Sequence, residues 1–147
     1  SAAIGCAQIE ELPQRVARRR AIHAIYAREL AEVKGITVHD NPSSDFNSNF
    51  WLSTILLDPE VIKVSPDELR VKMLEAGIEA RLLWRPMNMQ PVYSDAPYYS
   101  LADAQYKTNC SGIGEWLFNR GLCLPSGSSM TEEEVLEVVA AIKRIII

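Results

Sequence analysis

The chain has 147 residues, of which 48% are hydrophobic and 23% are charged, and its formal net charge is -4. This length and composition indicate one compact globular domain, able to bury roughly 68–70% of the surface that its unfolded chain exposes. The negative charge gives no long-range attraction towards phosphate backbones or anionic lipids, so neither nucleic acid nor a membrane is an expected partner.

The three cysteines, Cys6, Cys110 and Cys123, show no CxxC spacing, and the two histidines form no HxxxH pair. An odd number of cysteines without such spacing argues against a disulfide framework and against a metal site. No apolar run approaches the ~20 residues that span a bilayer, and the N-terminal residues lack the zones of a signal peptide. We therefore expect a metal-free protein of the reducing cytoplasm.

Pro13 divides the N-terminal helical pattern into two predicted helices. It has no amide hydrogen and its ring crowds the preceding turn, so we expect a short helix to end at Leu12 and a longer one to run from Pro13 to about Lys34. Gly35 then ends the longer helix. Apolar residues at three- and four-residue steps predict its buried face: Val16, Ile22, Ile25, Tyr26, Leu30 and Val33.

Three consecutive arginines, Arg18 to Arg20, lie in the longer helix. They could form a phosphate-binding patch, but a helix separates adjacent side chains by about 100°, so they make no single anion fork. We interpret them as part of a solvated face. In the shorter helix, Ile4 and Leu12 lie on one apolar face, which needs a neighbour to cover it.

The middle of the chain predicts a loop, a strand and a capped helix. Asn41–Asn49 has the composition of a loop, and Phe50–Leu57 is the strongest strand pattern in the chain. Ser65 and Glu68 match a capping box, so a helix should begin there, and Gly77 should end it. The next predicted strand begins at Ile78.

The segment from Leu83 to Tyr93 is irregular, and so is the tyrosine-rich segment from Ser94 to Asn109. A short helix should follow and stop at Gly121, and a brief strand, LCLPSG, comes next. Thr131 and Glu134 match a second capping box, which begins an apolar last helix. These elements predict an α+β fold with a small, antiparallel-rich sheet covered by helices.

The residues alone complete no active site. Cys110 with His23 or His39 could make a thiol nucleophile and a base, but nothing local activates the thiol. The glycines of SGIGEW are more simply a helix N-terminus than part of a phosphate loop. Schiff-base chemistry needs a lysine in a dry pocket. All five lysines occur in polar or helix-end surroundings: Lys34, Lys63, Lys72, Lys107 and Lys143.

Two segments carry a family resemblance. The sequence WRPMNMQPVY, from Trp84 to Tyr93, resembles the pattern W-K-P-M-H-L-Q-P-x-[FY], and LFNRGLCLPSG, from Leu117 to Gly127, resembles L-x-x-R-G-[LI]-C-L-P-S-G. With residues 1–30 and 49–57 they form blocks in the right order over essentially the whole chain. Together they resemble the C-terminal third to half of the DegT/DnrJ/EryC1/StrS family, the pyridoxal-phosphate-dependent nucleotide-sugar aminotransferases.

The resemblance implies that residues 1–147 are a single C-terminal small domain of a fold-type I enzyme, and that the large domain is absent. In the family that large domain carries the lysine that holds pyridoxal phosphate and most other contacts to this cofactor, so no catalytic residue is expected in this chain. The implied reaction moves an amino group, usually from glutamate, to a nucleotide-linked keto-sugar, in a homodimer. The apolar face of Ile4 and Leu12 would then pack on the large domain or on a second subunit.

By the same resemblance, the segment from Leu83 to Tyr93 is a loop that contacts the nucleotide sugar. The implied substrate-binding residues are Arg85, Asn88, Gln90 and Tyr93. A guanidinium can bind phosphate or carboxylate through two hydrogen bonds, and amide and phenol groups can both donate and accept, so these side chains suit that role. Arg85 stands where the family often has Lys, and Asn88 where it often has His. The alternative is that the apolar residues of the loop only pack under a surface turn: Trp84, Met87, Met89 and Val92.

Three alternatives stay open. The turn Pro125–Ser129 faces the active site by resemblance, but it could equally be a plain strand-to-helix connection. A minority of the family replaces the catalytic lysine and dehydrates sugars, and nothing in this chain distinguishes that activity. The chain could also be an α+β interaction module with no enzymatic role.

Overall fold

The computed structural model describes residues 2–97 and 112–146, which form an α+β domain, as the sequence predicts. The four helices and four strands within these ranges are, in chain order, α1 (Ala2–Leu30), β1 (Ile36–Val38), β2 (Ser53–Leu57), α2 (Pro66–Glu75), β3 (Arg81–Leu82), α3 (Ile113–Phe118), β4 (Gly121–Leu124) and α4 (Glu132–Ile146). Two short 3₁₀ turns, Met87–Met89 and Pro91–Tyr93, follow β3.

The four strands form one antiparallel sheet in the order β1-β2-β4-β3. Ser53 of β2 pairs with Leu124 of β4, and Arg81 of β3 pairs with Cys123. Because β4 lies between β2 and β3, all four of its residues are buried. Leu122 and Leu124 belong to the main core, whereas Cys123, between them, points to the opposite face of the sheet.

The main core lies between the sheet and the three long helices. The apolar face predicted for the longer N-terminal segment is confirmed, because Ile22, Tyr26 and Leu30 are fully buried. Helix α4 packs on α1 and α2, and its valines and Ile142 complete the same core. Burial of this size supplies the main favourable term in folding.

The predicted break at Pro13 is wrong, because α1 runs unbroken from Ala2 to Leu30 with Pro13 inside it. Pro13 removes one amide donor, and the carbonyl that loses it belongs to Ile9, which is largely exposed. Water can therefore replace the missing bond, and the helix continues. It ends at Leu30, earlier than expected, and the chain then turns at Gly35, where φ is +86°.

Both predicted capping boxes are confirmed. The Ser65 amide donates to Glu68 Oε2 (2.8 Å), and the Glu68 amide donates to Ser65 Oγ (3.2 Å). At the start of α4, the Thr131 amide donates to Glu134 Oε2 (2.8 Å), and the Glu134 amide donates to Thr131 Oγ1 (3.2 Å). These bonds satisfy amides that have no partner inside the helix.

The strands are shorter than the sequence patterns predict. Strand β2 begins only at Ser53, because Phe50 adopts a positive φ of 46° and bends the chain before the sheet. Strand β3 contains two residues, and no pattern in the sequence predicted β1. Most of the segment from Ser94 to Asn109, predicted to be irregular, lies outside the described residues, as do Cys110 and Lys107.

Candidate functional site

The segment after β3 is a loop built on two successive 3₁₀ turns. We call residues 83–97 the substrate loop, after the role that the family resemblance predicts for them. The Met89 amide donates to the Pro86 carbonyl (3.0 Å), and the Tyr93 amide donates to the Gln90 carbonyl (2.9 Å). Pro86 and Pro91 precede or begin these turns and fix φ there. A loop with its own hydrogen bonds loses less entropy when it binds a ligand.

An open pocket of about 560 Å³ lies on this loop, lined by Met87, Asn88, Tyr93, Ala96 and Pro97. The structure thus brings together two of the four predicted binding residues, Asn88 and Tyr93. An amide and a phenol on one wall can donate hydrogen bonds to a ligand and accept them from it, while the remaining lining is mostly apolar.

The other two predicted binding residues, Arg85 and Gln90, are not part of the pocket lining. The guanidinium carbon of Arg85 lies 5.5 Å from the centre of the Phe118 ring, in a cation–π contact with α3. The side-chain amide of Gln90 donates to the Arg85 carbonyl (3.3 Å). Gln90 therefore stabilises the loop through its nitrogen, and its side-chain oxygen remains the group suited to accept from a ligand.

Two glycines allow the loop to pack closely on its support. A Cβ atom on Gly121 would lie only 2.0 Å from Leu83 Cδ1, so β4 accepts the start of the loop only because this residue has no side chain. A Cβ atom on Gly114 of α3 would lie 3.3 Å from Pro86 Cγ. The start of the loop is therefore held against β4 and α3.

The apolar residues of the loop are mostly uncovered by the rest of the described chain. Trp84, Met87 and Val92 are 66%, 61% and 81% exposed, whereas Met89 is half-buried, as are Leu83 and Pro86. The alternative that these residues simply pack under a surface turn does not describe the observed structure. The Trp84 ring instead lies against Trp51, with ring centres 5.8 Å apart and planes tilted by 37°.

The interpretation of the arginine run as a solvated face holds for Arg20, which is exposed, but not for Arg18 and Arg19, which are half-buried. All three side chains bind backbone carbonyls of two loops. The loops are those just before β2 and just after β4. The acceptors are the Met130 carbonyl for Arg18, the Trp51 and Ser126 carbonyls for Arg19, and the Ser48 carbonyl for Arg20. The ~100° step between adjacent helical residues, which rules out a single fork, directs them to separate acceptors.

The turn Pro125–Ser129 is bound tightly to α1 and β2 at its first two residues. Tyr26 donates its hydroxyl to the Pro125 carbonyl (2.8 Å), and burial raises the pKa of this tyrosine above its ordinary value. The buried Ser126 Oγ accepts from the Ser53 amide (2.9 Å) and donates to the Leu124 carbonyl (2.9 Å). These bonds make the beginning of the turn part of the scaffold.

His23 lies in a buried site beside the loop that precedes β2. Its ring stacks on Phe50, with centres 3.7 Å apart and planes inclined by 7°. Burial lowers the pKa of His23, and the Asp40 carboxylate, 3.7 Å from Nε2, opposes that effect. The nearby His39 also lowers the pKa of His23, because two positive charges close together repel each other. A pairing of His23 with Cys110 falls outside the described residues.

The described lysines do not fit a covalent site for pyridoxal phosphate. Such a site needs an amine in a dry pocket. Lys34, Lys63 and Lys72 are exposed, and Lys143 is half-buried. Lys63 Nζ donates to two carbonyls of its own turn, those of Pro59 (3.0 Å) and Glu60 (2.9 Å).

Residues 2–97 and 112–146 contain neither a cluster of metal-ligating side chains nor a membrane-spanning helix. No three His, Cys, Asp or Glu side chains come close enough there to hold a metal ion. None of the helices in these ranges is both long and apolar enough to cross a membrane.

Comparison with known proteins shows close relatives along almost the whole chain. The chain is 39% identical to EpsN of Bacillus subtilis, a candidate pyridoxal phosphate-dependent aminotransferase, over an alignment of 141 residues. The alignment covers 94% of this chain and 34% of EpsN. In an alignment 147 residues long, it is 30% identical to the GDP-perosamine synthase of Caulobacter vibrioides, and the alignment covers 99% of this chain and 36% of that enzyme.

Solved structures share the fold. DesI, crystallised in the presence of its TDP-sugar product, matches 99% of this chain with a TM-score of 0.81 at 22% identity, over 34% of its own length. The chain thus spans about a third of the length of the relatives it matches. The sequence model of one family, the DegT/DnrJ/EryC1/StrS aminotransferases, matches residues 1–143, and the chain belongs to this family.

Proposed function

We propose that this chain is the C-terminal domain of an enzyme that transfers an amino group, with glutamate as donor, to a keto-sugar carried on a nucleotide. Two relatives support this substrate class by name: the GDP-perosamine synthase described above, and a dTDP-4-dehydro-2,3,6-trideoxy-D-glucose 4-aminotransferase of Saccharopolyspora spinosa, 29% identical over 139 residues that cover 94% of this chain and 32% of that enzyme. Family membership supports the reaction class.

The cofactor of the proposed enzyme is pyridoxal phosphate, which supplies an electron sink when bound. Because the described lysines are exposed or half-buried, we propose that polypeptide beyond this chain holds the cofactor. This chain would then contribute no catalytic residue and would be inactive alone. Its part in the reaction would be to bind and orient the sugar nucleotide.

The observation that carries this proposal is the open pocket on the substrate loop, with Asn88 and Tyr93 on its wall. A sugar presents hydroxyl groups that both donate and accept, and the amide and phenol match them in kind. Gln90 would add an acceptor through its side-chain oxygen, since its nitrogen already donates to the Arg85 carbonyl.

Arg85 would bind the phosphates of the substrate. Its guanidinium lies against the Phe118 ring. Such a contact leaves the N–H donors, which point outward in the guanidinium plane, available for phosphate oxygens. A planar fork binds phosphate through two parallel hydrogen bonds, so Arg85 suits the charged part of the substrate better than its sugar.

The exposed half of α1 suggests how the domain would be covered in a homodimer. Ile4, Ile9 and Leu12 are 71%, 68% and 52% exposed, so this half of the helix buries little within the chain. We propose that it packs on the remaining polypeptide or on a second subunit. Contacts of this kind would also cover the exposed apolar residues of the substrate loop.

Steady-state kinetics of the full-length protein with a nucleotide-linked keto-sugar would test the loop assignment. Asn88→Ala and Tyr93→Phe should each raise KM for the sugar nucleotide about two- to tenfold, the loss expected for one neutral hydrogen bond. Arg85→Ala should raise it more, since the lost bond is to a charged group. Val92→Ala is the matched control, because Val92 lies in the same loop but outside the pocket.

Unchanged KM values in Arg85→Ala and Asn88→Ala would refute the loop assignment. The products separate the remaining alternatives. Loss of a sugar hydroxyl without consumption of an amino donor would identify a dehydratase. A full-length protein that binds neither pyridoxal phosphate nor a sugar nucleotide would be an interaction module.

A further inference from the structure

We infer that Arg19 is a positioning residue for the substrate loop, and that it acts through Trp51, which contacts Trp84 at the start of that loop. Arg19 lies on α1, far along the chain from residues 83–97. The connection consists of two observed contacts, a guanidinium–carbonyl bond and a ring–ring contact. The effect on substrate binding rests on the proposed function, whereas the contacts themselves do not.

Arg19 joins two loops at one end of the sheet. Its Nη1 donates to the Trp51 carbonyl, just before β2, and to the Ser126 carbonyl (3.1 Å), just after β4. Ser126 is itself buried and accepts from the Ser53 amide. The guanidinium therefore fixes the backbone of Trp51 relative to a rigid part of the scaffold.

The backbone of Trp51 needs this support because the chain bends sharply just before it. Phe50 has a φ of 46°, a conformation that costs energy for a residue with a bulky side chain. Trp51 is 58% exposed, so burial of its side chain does little to hold it in place. Its amide donates to Asn49 Oδ1 (3.0 Å), which is a local bond, and Arg19 supplies the long-range one.

The ring contact carries the position of Trp51 to the substrate loop. Trp51 precedes β2 and Trp84 follows β3, and β4 separates these strands, so the contact joins parts of the sheet that are not neighbours. Trp84 directly precedes Arg85, the proposed phosphate ligand. A shift of Trp51 would thus remove one of the supports of Trp84, beside the Leu83 and Pro86 contacts with β4 and α3.

The neighbouring arginines provide matched controls because they bind elsewhere. Arg18 donates to the Met130 carbonyl, and Arg20 donates to the Ser48 carbonyl (3.0 Å) and to Asn47 Oδ1 (2.6 Å). Arg20→Met therefore removes an arginine of the same helix that binds the same loop, but leaves the bond to Trp51 in place.

The test uses the full-length protein and two measurements. Two indole rings this close should give an exciton couplet in circular dichroism, obtained as the difference between the wild-type and Trp84→Phe spectra. Arg19→Met should reduce the couplet at least twofold, and should raise KM for the sugar nucleotide about tenfold with kcat nearly unchanged, as expected for a small displacement of a binding loop. Arg20→Met should leave both quantities within about twofold of wild type. Trp84→Leu should reproduce the rise in KM, and the exposure of Trp84 makes misfolding of that variant a minor concern.

Each outcome decides one part of the inference. A full couplet in Arg19→Met would show that Arg19 does not position Trp51. A lost couplet with an unchanged KM would show that the tryptophan pair does not position the loop, provided that Arg85→Ala still raises KM. If Arg85→Ala and Asn88→Ala also leave KM unchanged, the proposed function fails instead, and the couplet measurement still decides the contact. A change in kcat and melting temperature without a change in KM would assign Arg19 a purely structural role.

Discussion

Replacement of Gly121 by alanine should destabilise the domain, because the space that a Cβ atom needs is already filled. That atom would lie 2.0 Å from Leu83 Cδ1, 2.5 Å from Leu83 Cγ and 2.8 Å from the Leu117 carbonyl oxygen. The leucine side chain can move to another rotamer, but the carbonyl belongs to the backbone of α3 and cannot. Overpacking of a core costs about 1–3 kcal/mol, and we expect a value near the upper end of this range.

Urea unfolding of Gly121→Ala, Leu83→Ala and the double variant would measure this cost and assign it. The double variant should be more stable than the sum of the single effects by about 1 kcal/mol, because Leu83→Ala removes the side-chain part of the clash. The remaining cost would come from the Leu117 carbonyl. Gly5→Ala is the control, since no atom lies within 4 Å of a Cβ at this exposed helical position, and it should stabilise the helix by about 0.5–1 kcal/mol.

A Gly121→Ala variant as stable as wild type would refute the close approach of Leu83 to β4. Strictly additive effects of Gly121→Ala and Leu83→Ala would show that the two residues do not share this space. Either result would also remove the argument that the start of the substrate loop is fixed on β4.

Three further predictions concern buried polar groups. Ser126→Ala should cost about 1–3 kcal/mol in urea unfolding, because it leaves the buried Ser53 amide without its acceptor; exposed Ser129→Ala should be neutral. Burial raises the pKa of Tyr26, so above about pH 10 the unfolded state loses this proton first and stability falls as the pH rises. Tyr26→Phe should lack that alkaline decline in a pH series of unfolding curves. Burial lowers the pKa of His23, so its contribution is present above about pH 6.5 and is lost as the pH falls below it. His23→Phe, which keeps the stack on Phe50, should flatten the acid side of the same series, and an unchanged acid slope would exclude His23 as its source.

The sequence predicted those structural features that depend on residues close together in the chain. Ser65 with Glu68 and Thr131 with Glu134 form their capping boxes from residues three positions apart, so sequence alone specifies them. The buried face of α1 follows in the same way from helical periodicity. The prediction at Pro13 failed because the cost of a proline depends on whether water can reach the carbonyl that loses its donor.

The parts of the site that were missed depend on contacts between distant residues. The sequence patterns predicted surface charges at Arg18 to Arg20, because nothing in the run of arginines shows which loops pack beside α1. The two loops that pack there follow the run by more than twenty and by more than a hundred residues. A short strand such as β1 is equally hidden, since pairing with β2 and not its own three residues determines it. Of the four residues predicted by resemblance, Asn88 and Tyr93 line the same pocket. Arg85 does not line it, because its guanidinium packs on the Phe118 ring.

The continuity of α1 through Pro13 links the exposed half of this helix to the substrate loop. Arg19 lies fewer than two helical turns beyond Pro13, so Ile9, Leu12 and Arg19 belong to one rigid rod. Whatever packs on the exposed residues of the first half therefore also restrains the direction of Arg19, and with it the backbone of Trp51. Two separate helices, as the sequence suggested, would have let the first half move independently. In the observed continuous helix, contacts made by the exposed half and the position of Trp84 both depend on the orientation of α1.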